Sequence, residues 1–264
     1  MIEWELFKRG VQVTLFLSVF SPAIAFGTTL VIDPGHGGND QGAVSHFDNG
    51  RSKRPVYEKD LTLQIAKKLK ESLTKLPHPF KVYMTRDADE YVSLESRGTL
   101  ARKVNADLFI SIHCNSHKKT QFSGIETYIL NNATDEASRQ LQEVENAVDG
   151  VKTNLDWILS DLIISANVKE SVGLAKSIQH HLVRGLKSWG IDVKDRGIKQ
   201  ALFSVLMYSR TPGVLLETGF ISNPRELGFL TQSRYQNLMA DSIRDAILRS
   251  TPTSSKSSKE HASL

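Results

Sequence analysis

Four residues far apart in the chain carry side chains that can do chemistry together. They are His36 in DPGHGG, Glu58 in VYEKDL, His113 in SIHCNS and Glu217 in LLETGF. Two imidazoles and a carboxylate suffice to hold a catalytic zinc ion, and a second carboxylate can activate water beside it. Because ligands this scattered meet only where several strands of one sheet end, the pattern favours an enzyme over a small zinc-stapled domain.

The local context of each residue strengthens this interpretation to a different degree. His36 lies among glycines, which let the backbone approach an ion closely, and Asp33 either orients its imidazole by accepting a hydrogen bond or caps the loop. His113 and Glu217 each end an apolar run, where a buried carboxylate is costly unless it is paired, neutral or near a metal. Glu58 precedes a helix, so that metal binding and helix capping both remain open from its spacing.

The elements that must position these residues alternate between strand and helix. Strands are predicted at residues 28–33, 80–85, 107–113, 124–130 and 213–217, and helices from Lys59 to Pro77 and at 94–104, 171–189 and 235–248. Residues 40–55 are predicted to be an exposed loop. This order implies a single-domain α/β fold with a mixed, mostly parallel central sheet covered by helices on both faces.

Residues 131–170 interrupt this alternation. The sequence predicts two helical pieces at 135–148 and 154–166, joined at Gly150, and the second piece is dense in apolar residues. The block lies between a strand and the next core helix. We therefore interpret it as a helical insertion in a catalytic domain that covers residues 26–250.

The two ends of the chain differ in composition from this domain. Residues 1–25 resemble a signal peptide, with Lys8 and Arg9 before an apolar run and a small-residue pattern that ends at Ala25. That run is too short to cross a bilayer comfortably, so we expect export, with an uncleaved anchor as the alternative. Residues 251–264 are rich in Ser, Thr and Lys, and we expect a disordered tail.

Composition narrows the classes of function. The 264 residues carry a formal charge of +4 and a pI near 9.0, and Lys and Arg are dispersed, so we expect no nucleic-acid partner. A polyanionic partner such as a cell-wall polymer is compatible with this charge. Cys114 is the single cysteine, which excludes a disulfide framework. Adjacent strand residues point to opposite faces, so Cys114 faces the core if His113 faces the site.

The motifs together resemble a known family. VIDPGHGG, EKDL, Arg86-Asp87-x-Asp89, SIHCNS and LLETGFISNP occur in this order between about Leu30 and Leu248. This combination is similar to the zinc-dependent N-acetylmuramoyl-L-alanine amidases of the Amidase_3 type. The resemblance implies that His36, Glu58 and His113 hold Zn²⁺ and that Glu217 is the catalytic carboxylate. It also implies hydrolysis, with a zinc-activated water as nucleophile, of the amide between N-acetylmuramic acid and L-alanine of peptidoglycan.

The insertion resembles the regulatory segment of the division-associated branch of this family. That resemblance implies a helix across the cleft, with Glu145 (or Glu143) capping the zinc until an activator protein withdraws it. The activator would then dock on the apolar stripe formed by Trp157, Ile158, Leu159 and Leu162. Alternatively, this stripe packs on a partner helix within the insertion. We further expect a periplasmic monomer that acts in daughter-cell separation.

Two other functions are compatible with the same residues. A catalytically silent peptidoglycan-binding regulator would keep the fold without the chemistry, although the presence of all four site residues favours an enzyme. A zinc carboxypeptidase or another amide hydrolase would use the same apparatus. Arg97, Asn105 and Asn115 either contact the substrate or have capping and turn roles.

Overall fold

The computed structural model describes residues 27–48, 50, 53–77, 80–147 and 154–250, with the backbone alone at 154–165. The described residues form eight strands: β1 (Thr29–Pro34), β2 (Val44–Asp48), β3 (Lys53–Tyr57), β4 (Lys81–Met84), β5 (Leu108–Asn115), β6 (Ile125–Leu130), β7 (Asp195–Ala201) and β8 (Gly213–Phe220). They also form seven helices: α1 (Glu58–Thr74), α2 (Leu94–Lys103), α3 (Glu136–Asn146), α4 (Asn154–Ser188), α5 (Ser204–Ser209), α6 (Pro224–Leu230) and α7 (Ser233–Ser250).

Six strands make one central sheet in the order β4-β1-β5-β8-β6-β7. Neighbours pair in parallel except β6 and β8, which pair antiparallel. The carboxyl ends of β1, β5 and β8 therefore meet at one edge, where open α/β sheets form their ligand crevices. β2 and β3 form a separate antiparallel hairpin before α1.

The sheet separates two apolar cores. On one face, Ile110 and Val214 pack with α1, α4 and α7; on the other, Phe109 and Leu215 pack with α2 and α5. Strand residues alternate between these cores because successive side chains point to opposite sides. The prediction of a mixed, mostly parallel sheet covered by helices on both faces is confirmed.

Several helices begin at residues whose side chains cap the free N–H groups of the first turn. The Ser93 side chain accepts a hydrogen bond from the Ser96 N–H at the start of α2, and Asp135 does the same for Ser138 at the start of α3. Asn223 caps α6, whose first residue is Pro224. These caps fix the residue at which the chain enters each helix.

The structure differs from the sequence prediction in several elements. The two helices predicted at 154–166 and 171–189 are one helix, α4, because residues 167–170 contain no glycine or proline that would end it. Residues 40–55 are not a plain loop, since β2 and the start of β3 lie there. Strand β7 and the short helices α5 and α6 were not predicted. β7 lies at the sheet edge, where a polar strand is tolerated.

Some predictions fall outside the described residues. These are the signal peptide at 1–25, the tail at 251–264 and the joint at Gly150. Among the helices that the structure describes, none combines the length and the apolar character that a bilayer span requires.

Candidate metal centre and active site

His36 follows β1 in a loop whose backbone is clamped by two buried arginines. Its φ of 62° lies in the left-handed region, which is unusual for a residue with a side chain. Arg97 donates to the carbonyls of Pro34 and His36 at 2.6 and 2.7 Å. Arg86 donates to the Pro34 and Gly35 carbonyls at 3.0 and 2.8 Å, and to the Lys59 carbonyl at 2.8 Å. These bonds hold the strained conformation that turns the His36 ring into the site.

Glu58 is the first residue of α1, but its carboxylate does not cap that helix. Oε2 accepts a hydrogen bond from the Ala43 N–H at 2.8 Å, and Oε1 accepts one from the Cys114 N–H at 2.9 Å. The side chain is buried and faces both histidines. Glu58 therefore connects the hairpin, α1 and β5 at a single point.

His113 and Glu217 lie side by side on the sheet. They are register partners in the parallel strands β5 and β8, on the same face as Phe109 and Leu215. Cys114 points into the opposite core, as the alternation of strand residues predicts. Burial, followed by the charge of Glu58, raises the pKa of the Cys114 thiol well above its usual value, which argues against a thiolate nucleophile.

Four side chains converge on one point: His36, Glu58, His113 and Glu145 each offer a ligand atom, and these atoms lie within 4.8 Å of one another. Glu58 Oε1 is 3.1 Å from His36 Nε2 and 3.3 Å from His113 Nδ1. Glu145 Oε2 is 3.6 and 3.2 Å from the same two nitrogens.

This arrangement passes a physical test for a metal centre. Among the described residues, neither His36 Nε2 nor His113 Nδ1 has a hydrogen-bond partner, although both atoms are buried. Buried polar atoms nearly always have a hydrogen-bond partner, so two buried imidazole nitrogens that face carboxylate oxygens at 3.1–3.6 Å without forming a hydrogen bond fit a site that could hold a cation. Two nitrogens and a carboxylate oxygen form the donor set of many catalytic zinc sites.

Two glycines leave room for these side chains. A Cβ atom on Gly35 would lie 2.5 Å from His113 Cε1 and Nε2. A Cβ on Gly42 would lie 2.6 Å from His36 Cδ2 and 2.7 Å from Glu58 Oε2, and the φ of Gly42 is +62°. The glycines around the site thus serve the close packing of the cluster itself.

The prediction that Asp33 orients the His36 imidazole is wrong. His36 Nδ1 lies 3.0 Å from Asp40 Oδ2, because the left-handed backbone turns the ring away from β1 and toward Asp40. Asp33 instead pairs with Arg97 at 2.9 Å and accepts hydrogen bonds from Thr85 and Ser111. Asp40 is thus the partner that fixes the tautomer and direction of the ring.

The carboxylates of Glu58 and Glu145 shift the pKa values of their neighbours. Burial alone would lower the pKa of His36, but the charge of Glu58 and the hydrogen bond with Asp40 raise it to about 11. Burial raises the pKa of Glu217 well above its usual value, and the charges of Glu58 and Glu145 add to this increase. Both Glu217 oxygens lack a hydrogen-bond partner among the described residues. A divalent cation in the cluster would oppose these effects and favour an ionised Glu217.

The insertion places one carboxylate in the cluster and turns the other away. Glu145, in the last turn of α3, reaches both histidines, whereas Glu143 is exposed. The side chains of Trp157, Ile158, Leu159 and Leu162 lie outside the described part of the chain, although their backbone belongs to α4. The predicted docking stripe stays a prediction.

Sequence reasoning missed several residues that shape the site. Arg86 was given no role because its partners are backbone carbonyls, which no sequence motif identifies. Asp40 was given none because its contact with His36 depends on the backbone turn at His36. Arg97 is buried in the loop clamp, which gives it a structural role. Asn105, at φ 49°, follows α2 in a turn, and Asn115 is buried at the end of β5.

Comparison with known proteins agrees with this geometry. Residues 30–249 match the Amidase_3 family, described as N-acetylmuramoyl-L-alanine amidase. The chain belongs to this family. Its sequence is 35% identical over 223 residues to the N-acetylmuramoyl-L-alanine amidase AmiC of Escherichia coli O6:H1, covering 81% of the chain and 50% of that protein. It is 34% identical over 256 residues to the probable amidase AmiB of Haemophilus influenzae, covering 91% and 56%. The chain spans about half the length of these two relatives.

A solved structure shares the fold. The crystal structure of N-acetylmuramoyl-L-alanine amidase from Clostridium difficile 630 is similar with a TM-score of 0.61 and 33% identity, covering 84% of this chain and 96% of that one. The matched part of this chain therefore covers nearly all of the amidase chain in that structure.

Proposed function

We propose that this chain is a zinc-dependent hydrolase that cleaves the amide between N-acetylmuramic acid and L-alanine of the peptidoglycan stem peptide. The observation that carries this proposal is the convergence of two buried imidazole nitrogens on the Glu58 carboxylate, next to the buried Glu217. His36, Glu58 and His113 would hold the metal. Membership of the amidase family supplies the substrate class.

The roles of the residues follow from their positions. When bound, zinc supplies Lewis-acid catalysis by polarising the amide carbonyl and activating the attacking water. Glu217 would take a proton from that water and pass it to the leaving amine. It is buried beside His113, and no described residue makes a hydrogen bond to its carboxylate, which leaves that carboxylate available for the transfer. Asp40 and the Arg86–Arg97 clamp hold His36 in place throughout.

We further propose that α3 inhibits the enzyme. Glu145 would occupy the open position that a catalytic zinc needs for water and substrate, and an activator protein would withdraw it. Replacing Glu145 with Gln, or deleting residues 134–168, should raise a low basal rate. Glu143→Gln is the matched control, because this exposed carboxylate on the same helix faces away from the cluster. An insert-free variant no faster than the parent would refute autoinhibition.

The cellular role is proposed from the resemblance of the insertion and of residues 1–25. We infer export to the periplasm and action in daughter-cell separation, with the activator docking on the stripe around Trp157. A fusion of residues 1–25 to a reporter that is active only outside the cytoplasm tests export. A cytoplasmic reporter would contradict it.

Product analysis from purified muropeptides tests the activity most directly. The proposed reaction frees intact stem peptides from intact glycan, and a chelator should stop it. Glu217→Gln should retain zinc but lose turnover, because an amide side chain cannot accept the proton. Retained turnover in this variant would remove Glu217 from the mechanism.

The same assay separates the alternative functions. A carboxypeptidase would release single amino acids from the stem peptide, and a silent regulator would bind muropeptides without cleaving them. The complete set of His36, Glu58, His113 and Glu217, brought to one edge of the sheet, favours an enzyme over the silent regulator.

A further inference from the structure

The backbone that follows β7 presents peptide groups at the edge of the sheet that side chains, rather than a neighbouring described strand, bind. Ala201, the last residue of β7, pairs with Leu130 in β6, and its carbonyl accepts from the Asn131 N–H at 3.4 Å. In an extended chain, the N–H and carbonyl of one residue point to the same side, and those of the next residue point to the opposite side. The Leu202 N–H and carbonyl therefore face away from β6. Among the described strands, β7 is the last of the sheet, with no neighbour on that side. This is the geometry in which an extended peptide can add to a sheet.

Side chains of α3 occupy these groups. The Leu202 N–H donates to Gln142 Oε1 at 2.7 Å, and the Leu202 carbonyl accepts from Asn146 Nδ2 at 2.8 Å. The Ser204 N–H donates to Asn146 Oδ1 at 2.8 Å. A carboxamide offers the same donor and acceptor as a peptide group. Asn146 thus binds residues 202 and 204 as a peptide unit of a neighbouring strand would.

This segment is continuous with the candidate metal centre. Asn146 directly follows Glu145, whose Oε2 lies 3.2 Å from His113 Nδ1. A single cavity is lined by His113 and Asn146 together with Phe203. A substrate whose scissile amide lies at the cluster would therefore extend its peptide past residues 202–204.

We propose that residues 202–204 are a peptide-binding subsite, in which the stem peptide takes over the three hydrogen bonds that Gln142 and Asn146 make. This inference rests on the proposed function. Helix α3 then blocks the cleft with two side chains: the Glu145 carboxylate lies at the metal ligands, and the Asn146 carboxamide takes the place of a substrate peptide group. Peptide and helix compete for the same backbone atoms.

Removing one backbone donor tests the subsite. Ser204→Pro deletes the Ser204 N–H, and the fold should accept it because Ser204 is the first residue of α5 and Phe203 has φ −72° and ψ 122°, as residues before proline prefer. Ser204→Ala is the matched control, since it keeps the N–H. Both are made in a Glu145→Ala chain, where α3 no longer binds through the carboxylate.

The readout is the affinity of the metal-free protein for an N-acylated tetrapeptide that begins with L-alanine, measured by calorimetry. We expect Ser204→Pro to bind about five- to tenfold more weakly than Ser204→Ala, the effect of one hydrogen bond. Equal affinities would overturn the proposal. Hydrolysis of purified muropeptides by the zinc-loaded Glu145→Ala chain is measured separately. Hydrolysis with equal affinities refutes the subsite alone, and peptide binding without hydrolysis refutes the proposed function.

A second variant keeps the test decisive if Ser204→Pro does not fold. Asn146→Asp, with Glu145 intact, replaces the Nδ2 donor that faces the Leu202 carbonyl with a carboxylate oxygen. The helix should release residues 202–204 more readily, and the same tetrapeptide should bind about fivefold more tightly than to the unchanged chain. Unchanged affinity would show that helix and peptide do not compete, and would overturn the proposal.

Discussion

Gly35→Ala isolates the contact between the glycine-rich loop and the ring of His113. The φ of Gly35 lies outside the left-handed region, so that the backbone itself accepts alanine. The new methyl group would lie 2.5 Å from His113 Cε1 and Nε2 and 2.8 Å from Nδ1, where ordinary contact begins at 3.4 Å. Because Arg86 and Arg97 fix the loop, the ring must recede by about 0.9 Å to restore contact.

A displacement of this size is large for a metal ligand. Zinc–nitrogen bonds are about 2.0–2.1 Å long, so a ring shifted by nearly half that length no longer bonds normally. We expect zinc affinity to fall at least about 10- to 100-fold, the loss typical of disturbed ligand orientation. Overpacking should also lower the free energy of unfolding by about 1–3 kcal/mol.

Competition with a chromophoric chelator measures the affinity, and chemical denaturation measures the stability. Gly173→Ala is the matched control, since no atom of the described residues outside the helix's own backbone lies within 4 Å of a Cβ added to this glycine of α4. Alanine there should keep zinc affinity and raise stability by up to about 1 kcal/mol through helix propensity. If Gly35→Ala bound zinc within twofold of the unchanged chain, the reasoning about the His113 contact would be wrong.

Three further predictions concern the loop clamp, the metal and the helix across the cleft. Arg97→Met should lower the free energy of unfolding by about 3–5 kcal/mol in chemical denaturation, because Asp33 stays buried without its cation. Zinc at 100 times its dissociation constant should stabilise the protein by about 2.7 kcal/mol, and a chelator should reverse this in thermal melts. Gln142→Ala with Asn146→Ala should raise basal amidase activity by up to about 100-fold, since three hydrogen bonds of about 1 kcal/mol each are lost.

Each of these has a control. Adding Asp33→Asn to Arg97→Met should recover part of the lost stability, and no recovery would contradict the pairing. His36→Ala should show no zinc-dependent stabilisation; a full shift would place the metal elsewhere. Gln140→Ala removes an amide of α3 that bonds to exposed Glu136, so its basal rate should stay unchanged. If Gln140→Ala were as fast as the double variant, the inference that Gln142 and Asn146 inhibit the enzyme through their hydrogen bonds to residues 202 and 204 would be wrong.

The sequence predicts the elements whose pattern is local and strong. The apolar runs of β1, β5 and β8 are visible in sequence, and their carboxyl ends bring His36, His113 and Glu217 to one edge. Strand β7 was missed because a single isoleucine among polar residues carries no alternating signal. The continuity of α4 was missed because a change of composition looked like a boundary.

The errors at the site have backbone causes. Asp33 was expected either to orient the His36 ring or to cap its loop, but the left-handed φ of His36 directs that ring to Asp40. The resemblance favoured Glu145 over Glu143, and helix phase explains why Glu145 is the one that reaches the histidines. Residues two positions apart on a helix differ by about 200° in direction, so only one faces the cleft.

The central claim is that His36, Glu58 and His113 bind one divalent cation. Crystals of the zinc-loaded protein, measured on both sides of the zinc absorption edge, would locate the ion by anomalous difference density. We predict one strong peak about 2.0–2.2 Å from His36 Nε2, His113 Nδ1 and a Glu58 oxygen. A peak bound by other residues, or a fully loaded protein with no peak at this cluster, would contradict the account.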